Sequence, residues 1–324
     1  MLHTLQYKLH SGKNSKLLYY LNGYSSLLVP SFVWQWQRDK LLQEIELSDD
    51  KDYIHSRINY YCKLNQPTLL PPSSPRIKDA HIPKKQKVYY FDSREVTRYF
   101  PSHLRWELLP GDIVHVPKLP SIVKSRPLTD NIANSTLLKM DKVRHFIFVK
   151  DDISWEDKRP SAIFRGKVAG KQSRIDFMHR YFGSDICDCG DVSRSSSQLP
   201  QEWHTPKKTI SEHLAYRYIM ALEGNDVASN LKWVMSSNSI AVMPRPTCET
   251  WFMEGTLIPD YHYIEISDDF SDLAEKLTYY NRHTDEAQTI ISHAHDYVAQ
   301  FRDNHRERLI ALGTMNKYLQ MVNG

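Results

Sequence analysis

The stretch SAIFRGKVAGKQSRIDFMHRYF, residues 161–182, decides the fold class. It opens as a short apolar run and closes on Arg165 and Gly166. A basic turn containing Gly170 follows, and from Lys171 onward the residues read as a helix. A buried strand feeding a helix through a glycine-bearing turn is the repeating unit of a parallel sheet covered by helices. Read outward from it, RHFIFVKDD (144–152) and SDICDCGDV (184–192) are predicted strands, and TISEHLAYRYIMAL (209–222) is a predicted helix with Ser211 as its N-cap. SNLKWVMSS (229–237) reads as a short helix, SIAVMP (239–244) and HYIEI (262–266) as strands, and three helices close the chain between 272 and 322. Strands alternating with helices over this length argue for an α/β fold.

The first half is patterned differently. Residues 1–65 look helical, and 66–87 hold five prolines and a basic cluster, which suits an irregular connection. KVYYFD (87–92) and DIVHVP (112–117) read as strands, and PSIVKSRPLTDNIANS (120–135) as a long loop. The predicted division is therefore 1–142 and 143–324. The segment 16–42 is aromatic-rich and basic at both ends. Its periodicity favours two core helices broken at Pro30 over a helix lying on a membrane surface.

The 324 residues are 41% apolar and 25% charged, with a formal charge of +4. Such a chain can bury sizeable cores, and its mild basic excess suits anionic ligands or a membrane surface without arguing for nucleic acid. The N-terminus lacks the uninterrupted apolar core of a signal peptide, and no apolar run reaches the length of a membrane span, so a cytoplasmic location is expected. Cys62, Cys187, Cys189 and Cys248 make neither a disulfide framework nor a paired zinc motif. The lone DxD at Asp50 and Asp52 sits in a charge run. His293 and His295, two apart on a helix, point to different faces, and His262 reads as a ligand contact or a packed core histidine. GxSxG and HExxH are absent, which removes common hydrolase classes.

Three segments carry candidate chemistry. Arg165, Gly166, Lys167, Lys171 and Arg174 place cations and close backbone approach where a strand meets a helix, a plausible anion site or a solvated basic loop. In LEGNDVASNLKWVMSSNSIAVMP (222–244), Gly224, Ser229 and Lys232 stand at a bend before a helix, facing the same anion or simply capping a connection. Glu249 and Glu254, after a buried strand, could accept hydrogen bonds from the vicinal hydroxyls of a ribose or hexose, or be surface acids.

Taken together, SAIFRGKVAGKQSR, the run 211–244, ETWFMEGTLIPDYHYIEI (249–266) and VPKLPSIVKSRPLTDN (116–131) resemble glycosyltransferase family 90, most closely its bacterial lipopolysaccharide glycosyltransferases. The resemblance implies a GT-B architecture of two Rossmann-like domains facing a cleft, an acceptor-side domain and a nucleotide-sugar domain with closing helices. It implies inverting, metal-independent transfer of glucose or galactose from a UDP-sugar donor to the lipid A-core oligosaccharide, with no cofactor, at the inner-membrane surface. Carried onto matching positions, Arg165, Gly166, Arg174, Gly224, Ser229 and Lys232 lie near the donor diphosphate, with Glu249 and Glu254 also on the donor. Asn230 stands where eukaryotic members have an arginine, which leaves Lys232 as the leaving-group cation. Asp130 becomes the candidate base, Lys124 and Arg126 acceptor or phosphate contacts, and Asp112 and Asp152 the reserves. The competing readings are a transferase of phospho-groups and a non-catalytic module that binds anionic glycans.

Overall fold

The computed structural model describes residues 12–193 and 199–324. Its residues fall into two compact units: residues 12–14 with Arg144–Thr247 and Gly255–Gln300 in one, and Ser15–Val143, Cys248–Glu254 and Phe301–Gly324 in the other. The chain thus changes unit after Val143, and two later segments return to the first-half unit.

The unit built on the first half begins with α1 (Lys16–Ser25), α2 (Ser31–Leu47), α3 (Lys51–Tyr61) and α4 (Lys87–Thr97). Ser15 caps α1, and Pro30 separates α1 from α2 because proline suits a helix start and not its interior. Strands β1 (Leu108–Leu109), β2 (Ser121–Val123), β3 (Ser125–Pro127) and β4 (Ser135–Leu137) follow. β1, β2 and β4 form a parallel sheet. The short α5 (Lys142–His145) spans the change of unit.

The other unit holds β5 (Arg159–Gly166), α6 (Gln172–Tyr181), β6 (Cys187–Asp191), α7 (Ile210–Leu214), β7 (Tyr216–Met220), α8 (Leu231–Met235) and β8 (Ile240–Met243). The chain then crosses to β9 (Cys248–Thr250), antiparallel to β3, before β10 (Ile264–Glu265), α9 (Leu273–Arg282) and α10 (Thr284–Ala299). α11 (Asn304–Asn323) ends the chain in the first-half unit, with Asp303 accepting from the His305 and Arg306 amides at its start. No helix among the described residues is long and apolar enough to cross a membrane.

The five-stranded sheet is parallel throughout, in the order β10-β8-β7-β5-β6. Its first strand, β5, lies inside the sheet, so the connections leave it in opposite directions and the order reverses between β5 and β7. Ligands of such Rossmann-like sheets gather at the carboxyl ends of the strands flanking that reversal. Phe164, Phe177, Tyr218, Val242 and Phe270 fill the core on this side, with Phe164 and Phe177 edge to face at 5.5 Å. In the first-half unit the corresponding anchor is a buried carboxylate. Glu307 accepts from Arg57 Nη2 at 2.9 Å, Lys139 Nζ at 3.0 Å and Trp251 Nε1 at 2.7 Å, and Trp251 stacks on Tyr61 at 3.7 Å. A charge so deeply buried requires such a set of partners.

Five local expectations are corrected. KVYYFD starts the helix α4, not a strand: its buried positions Tyr89, Phe91, Asp92, Ser93, Val96 and Thr97 follow helical spacing once the window reaches eleven residues. The segment predicted as one helix at 209–222 divides into α7, capped by Thr209 in place of Ser211, and the strand β7. Thr209 and Glu212 form a capping box, whereas YRYIM is a buried aromatic and apolar run of strand length. DIVHVP and FIFVK form no strand, and the long loop at 120–135 contains β2 and β3 instead. The predicted helices over 172–181 and 231–235 and the strands at β5, β6, β8 and β10 are present.

Candidate active site

The carboxyl ends of β5 and β7 are joined by one side chain. Arg174, from the first turn of α6, donates from Nε to the Glu223 carbonyl at 2.9 Å, from Nη1 to the Lys167 carbonyl at 2.9 Å and from Nη2 to the Leu222 carbonyl at 2.7 Å. Lys167 follows β5, and Leu222 and Glu223 follow β7, so the guanidinium sits across the reversal of strand order. Burial lowers its pKa to about 10. Carbonyl dipoles hold this cation in place, and unlike a carboxylate they do not cancel its charge.

Two glycines make the space. A Cβ on Gly224 would lie 3.2 Å from Arg174 Nη2, and one on Gly166 would lie 3.2 Å from Nη1 and 2.7 Å from the Phe164 ring. Around them, Lys171 donates to the Asn225 side chain, and Asp191, at the end of β6, accepts from the Val168 amide at 3.0 Å and from Ser193. The Glu223 carboxylate accepts from the Thr247 amide at 3.0 Å. The loops at the ends of β5, β6 and β7 are thus fixed mainly by side chain to backbone bonds. Asp191 and the Leu222 and Glu223 carbonyls went unread in the sequence. Asp191 is one acid among several in SDICDCGDV, and a carbonyl has no residue signature.

Arg165 is placed elsewhere. Successive strand residues point to opposite faces, and Phe164 packs towards α6, so Arg165 leaves β5 on the other face. There it donates to the Asp188 carbonyl at 2.6 Å and pairs with the Asp188 carboxylate. Burial works to raise the Asp188 pKa, but hydrogen bonds from Tyr216 and Arg165 outweigh it and hold the carboxyl below its ordinary range. Ser229 is exposed in the turn before α8. Asn230 donates to the Met220 carbonyl at 3.0 Å, closing that turn onto β7. Lys232 is wholly buried on α8, its Nζ 5.9 Å from the Phe146 ring centre.

The remaining candidates, Asp152 apart, belong to the first-half unit. Glu249, on β9, accepts from Arg126 Nε at 2.7 Å and from Tyr60, and Arg126 also donates to the Tyr60, Tyr61 and Ser135 carbonyls. Glu254 accepts from the Thr250 amide at 2.6 Å and its hydroxyl at 2.9 Å. Lys124 pairs with Asp112. Asp130 is exposed on the connection between β3 and β4, and Asp152 is exposed beside Lys150 at 3.2 Å. The structure therefore brings Gly166, Arg174 and Gly224 together, and joins Arg126 to Glu249. His262 takes the Ile258 amide on Nδ1 at 2.9 Å, His293 stacks on Tyr261 at 3.6 Å, and His295 meets the Ser237 carbonyl at 2.9 Å. Among the described residues no three His, Cys, Asp or Glu side chains converge as a metal site would require.

A half-buried cation between glycines, at the carboxyl ends of the central strands, is suited to a phosphate-bearing ligand. Residues 134–306 match Glycosyl transferase family 90. The chain is 40% identical over 270 residues to the O-glucosyltransferase LpsA of Dichelobacter nodosus, covering 83% of either protein. The chain belongs to glycosyl transferase family 90 and is a glycosyltransferase.

Proposed function

We propose that this protein transfers a hexose, glucose in the first instance, from a UDP-sugar to a hydroxyl of the lipopolysaccharide inner core, with inversion and without a metal. The observation that carries the reading is Arg174, a cation anchored by three carbonyls at the reversal of strand order. The name of the Dichelobacter relative supports glucose as the sugar. In this reading the acceptor hydroxyl attacks the anomeric carbon from the face opposite UDP. A C–O bond forms as the bond to the diphosphate breaks, and UDP leaves as an anion that Arg174 stabilises. The hydroxyl proton passes to a carboxylate base, for which exposed Asp130 is the candidate. The two Rossmann-like halves of a GT-B transferase belong to the same proposal.

The test is unfolding of the whole protein with UDP, ADP or GDP, each in EDTA. UDP at a hundred times its dissociation constant is expected to add about 2.7 kcal/mol of stability, with ADP and GDP well below it. Transfer from UDP-glucose to purified inner core in the same buffer follows. Equal responses to all three nucleotides would sink the donor assignment. Loss of transfer in EDTA with recovery in Mn²⁺ would sink the metal-free mechanism. Failure with every nucleotide, together with retained binding of the acceptor glycan, would favour the non-catalytic reading.

A further inference from the structure

α1 and α2 each carry apolar residues on two sides, and the fold covers only one of them. On α1, Tyr19 donates to Asp92 of α4 at 2.7 Å, the Tyr20 ring meets Phe91 at 5.9 Å, and a Cβ on Gly23 would lie 2.8 Å from Phe91. The other side of α1 carries Leu17 and Leu21, spaced i and i+4, and the turn after it carries Leu28; these are 71%, 56% and 85% exposed. On α2, Leu41 and Ile45 are buried, and Trp34 lies under Arg98 at 3.7 Å and beside Tyr99. Phe32 and Trp36, one turn apart, are 69% and 83% exposed. Single exposed apolar side chains are ordinary in a soluble protein. Five large ones within two consecutive helices and the turn that joins them mark an interaction surface.

Charge selects the partner. Residues 12–38 contain no Asp or Glu, while Lys13 and Lys16 are exposed. Lys87 donates to the Tyr24 hydroxyl at 3.3 Å, which brings the KKQK run, with Lys84 and Lys85 exposed, to the end of α1. Asp92, which faces α1 from α4, is buried beneath Tyr19. A second copy of the chain meeting this face symmetrically would set lysine against lysine. Asp39, exposed one turn beyond Trp36, is paired with Arg38 at 2.8 Å, so leucine, phenylalanine and tryptophan with a net basic rim match the boundary between headgroups and acyl chains of an anionic bilayer.

We propose that the α1–α2 surface docks the protein on a membrane rich in anionic lipid. Leu17, Leu21, Leu28, Phe32 and Trp36 enter the headgroup boundary, and Lys16, Lys84 and Lys85 meet the lipid phosphates. The proposal rests on exposure and charge, and is independent of the donor and of the reaction.

The experiment is flotation of the full-length protein with vesicles of phosphatidylcholine alone or mixed with phosphatidylglycerol, at low and high salt. Wild-type protein is expected to float with the anionic vesicles and to be released by salt. Leu28→Ser/Trp36→Ser is expected to lower the partition coefficient about tenfold or more, and Lys84→Gln/Lys85→Gln to bind weakly even at low salt. Both variants should melt as wild type, since the residues are exposed. Absence of wild-type protein from the anionic vesicle fraction would overturn the proposal, as would unchanged flotation of both variants. A wild-type dimer in sedimentation that Leu28→Ser/Trp36→Ser turns into a monomer would overturn it in favour of a second copy.

Discussion

Arg126 and Glu249 show how a residue's partners decide between two roles that share one chemistry. Arg126 suits a phosphate and Glu249 a sugar hydroxyl, yet each is at most 1% exposed and they hold one another. Glu249→Gln would leave Arg126 buried without its counter-charge, at a cost of about 3–5 kcal/mol. Urea unfolding should show that loss, while UDP titrated onto the remaining folded protein should bind with wild-type affinity. Weakened UDP binding at unchanged stability would return Glu249 to the donor. His213 gives the matching test by pH. Its Nδ1 donates to the Thr209 carbonyl at 2.7 Å, its ring packs edge-on against Trp233 of α8, and burial lowers its pKa to about 4. The unfolded chain takes up a proton near pH 6.5 that the fold refuses. The contribution is therefore complete above pH 6.5 and is lost as pH falls through about 4, up to about 3 kcal/mol. Unfolding free energies measured from pH 7 to 4 should fall less steeply in His213→Gln.

At the scale of elements, legibility followed the reach of the interactions that decide each one. β5 and α6 were readable because their signals are local: an apolar run, a glycine turn and helical spacing. α4 was misread because tyrosine and phenylalanine favour strands over six residues, whereas its packing period appears over eleven. β2 and β3 were missed because their partners, Glu107–Leu109, Ser135–Leu137 and Cys248–Thr250, lie outside any local window. The cations of the βα turn were legible, but their directions were not. Strand alternation separates Arg165 from Arg174, and only the pairing of β5 with β6 shows that Asp188 receives Arg165. The connection from β7 to α8 carries its own prediction. In Gly224→Ala the new methyl would press on Arg174 Nη2 from 3.2 Å, and the guanidinium is tied to the two carbonyls just before that residue. UDP affinity should fall about fivefold, equivalent to about 1 kcal/mol, with a smaller change in stability. Calorimetric titration of UDP checks it, and unaltered affinity would remove Arg174 from the diphosphate.

For the whole molecule, sequence order and spatial order part company. The second half of the chain was expected to carry every donor contact, but residues Cys248–Glu254 pack in the unit of the first half, taking Glu249 and Glu254 with them. Nothing local announces this crossing: CETWFME reads as a turn and a short helix after a buried strand, and its destination is set by Tyr61 stacking on Trp251 and by Glu307 accepting from the indole. Hydrogen exchange on the intact protein, with and without UDP, separates the two assignments. Ligand binding slows exchange where contacts form and where local opening is suppressed. Gly166, Arg174 and Gly224 lie together at the ends of β5 and β7, so UDP is expected to protect amides in 166–174 and 222–232. Amides of 248–254 already pack against their own unit, so UDP should leave their rates unchanged. Protection of 248–254 equal to that at 166–174 would put Glu249 and Glu254 back among the donor contacts. Protection at neither would remove the nucleotide from this face of the sheet.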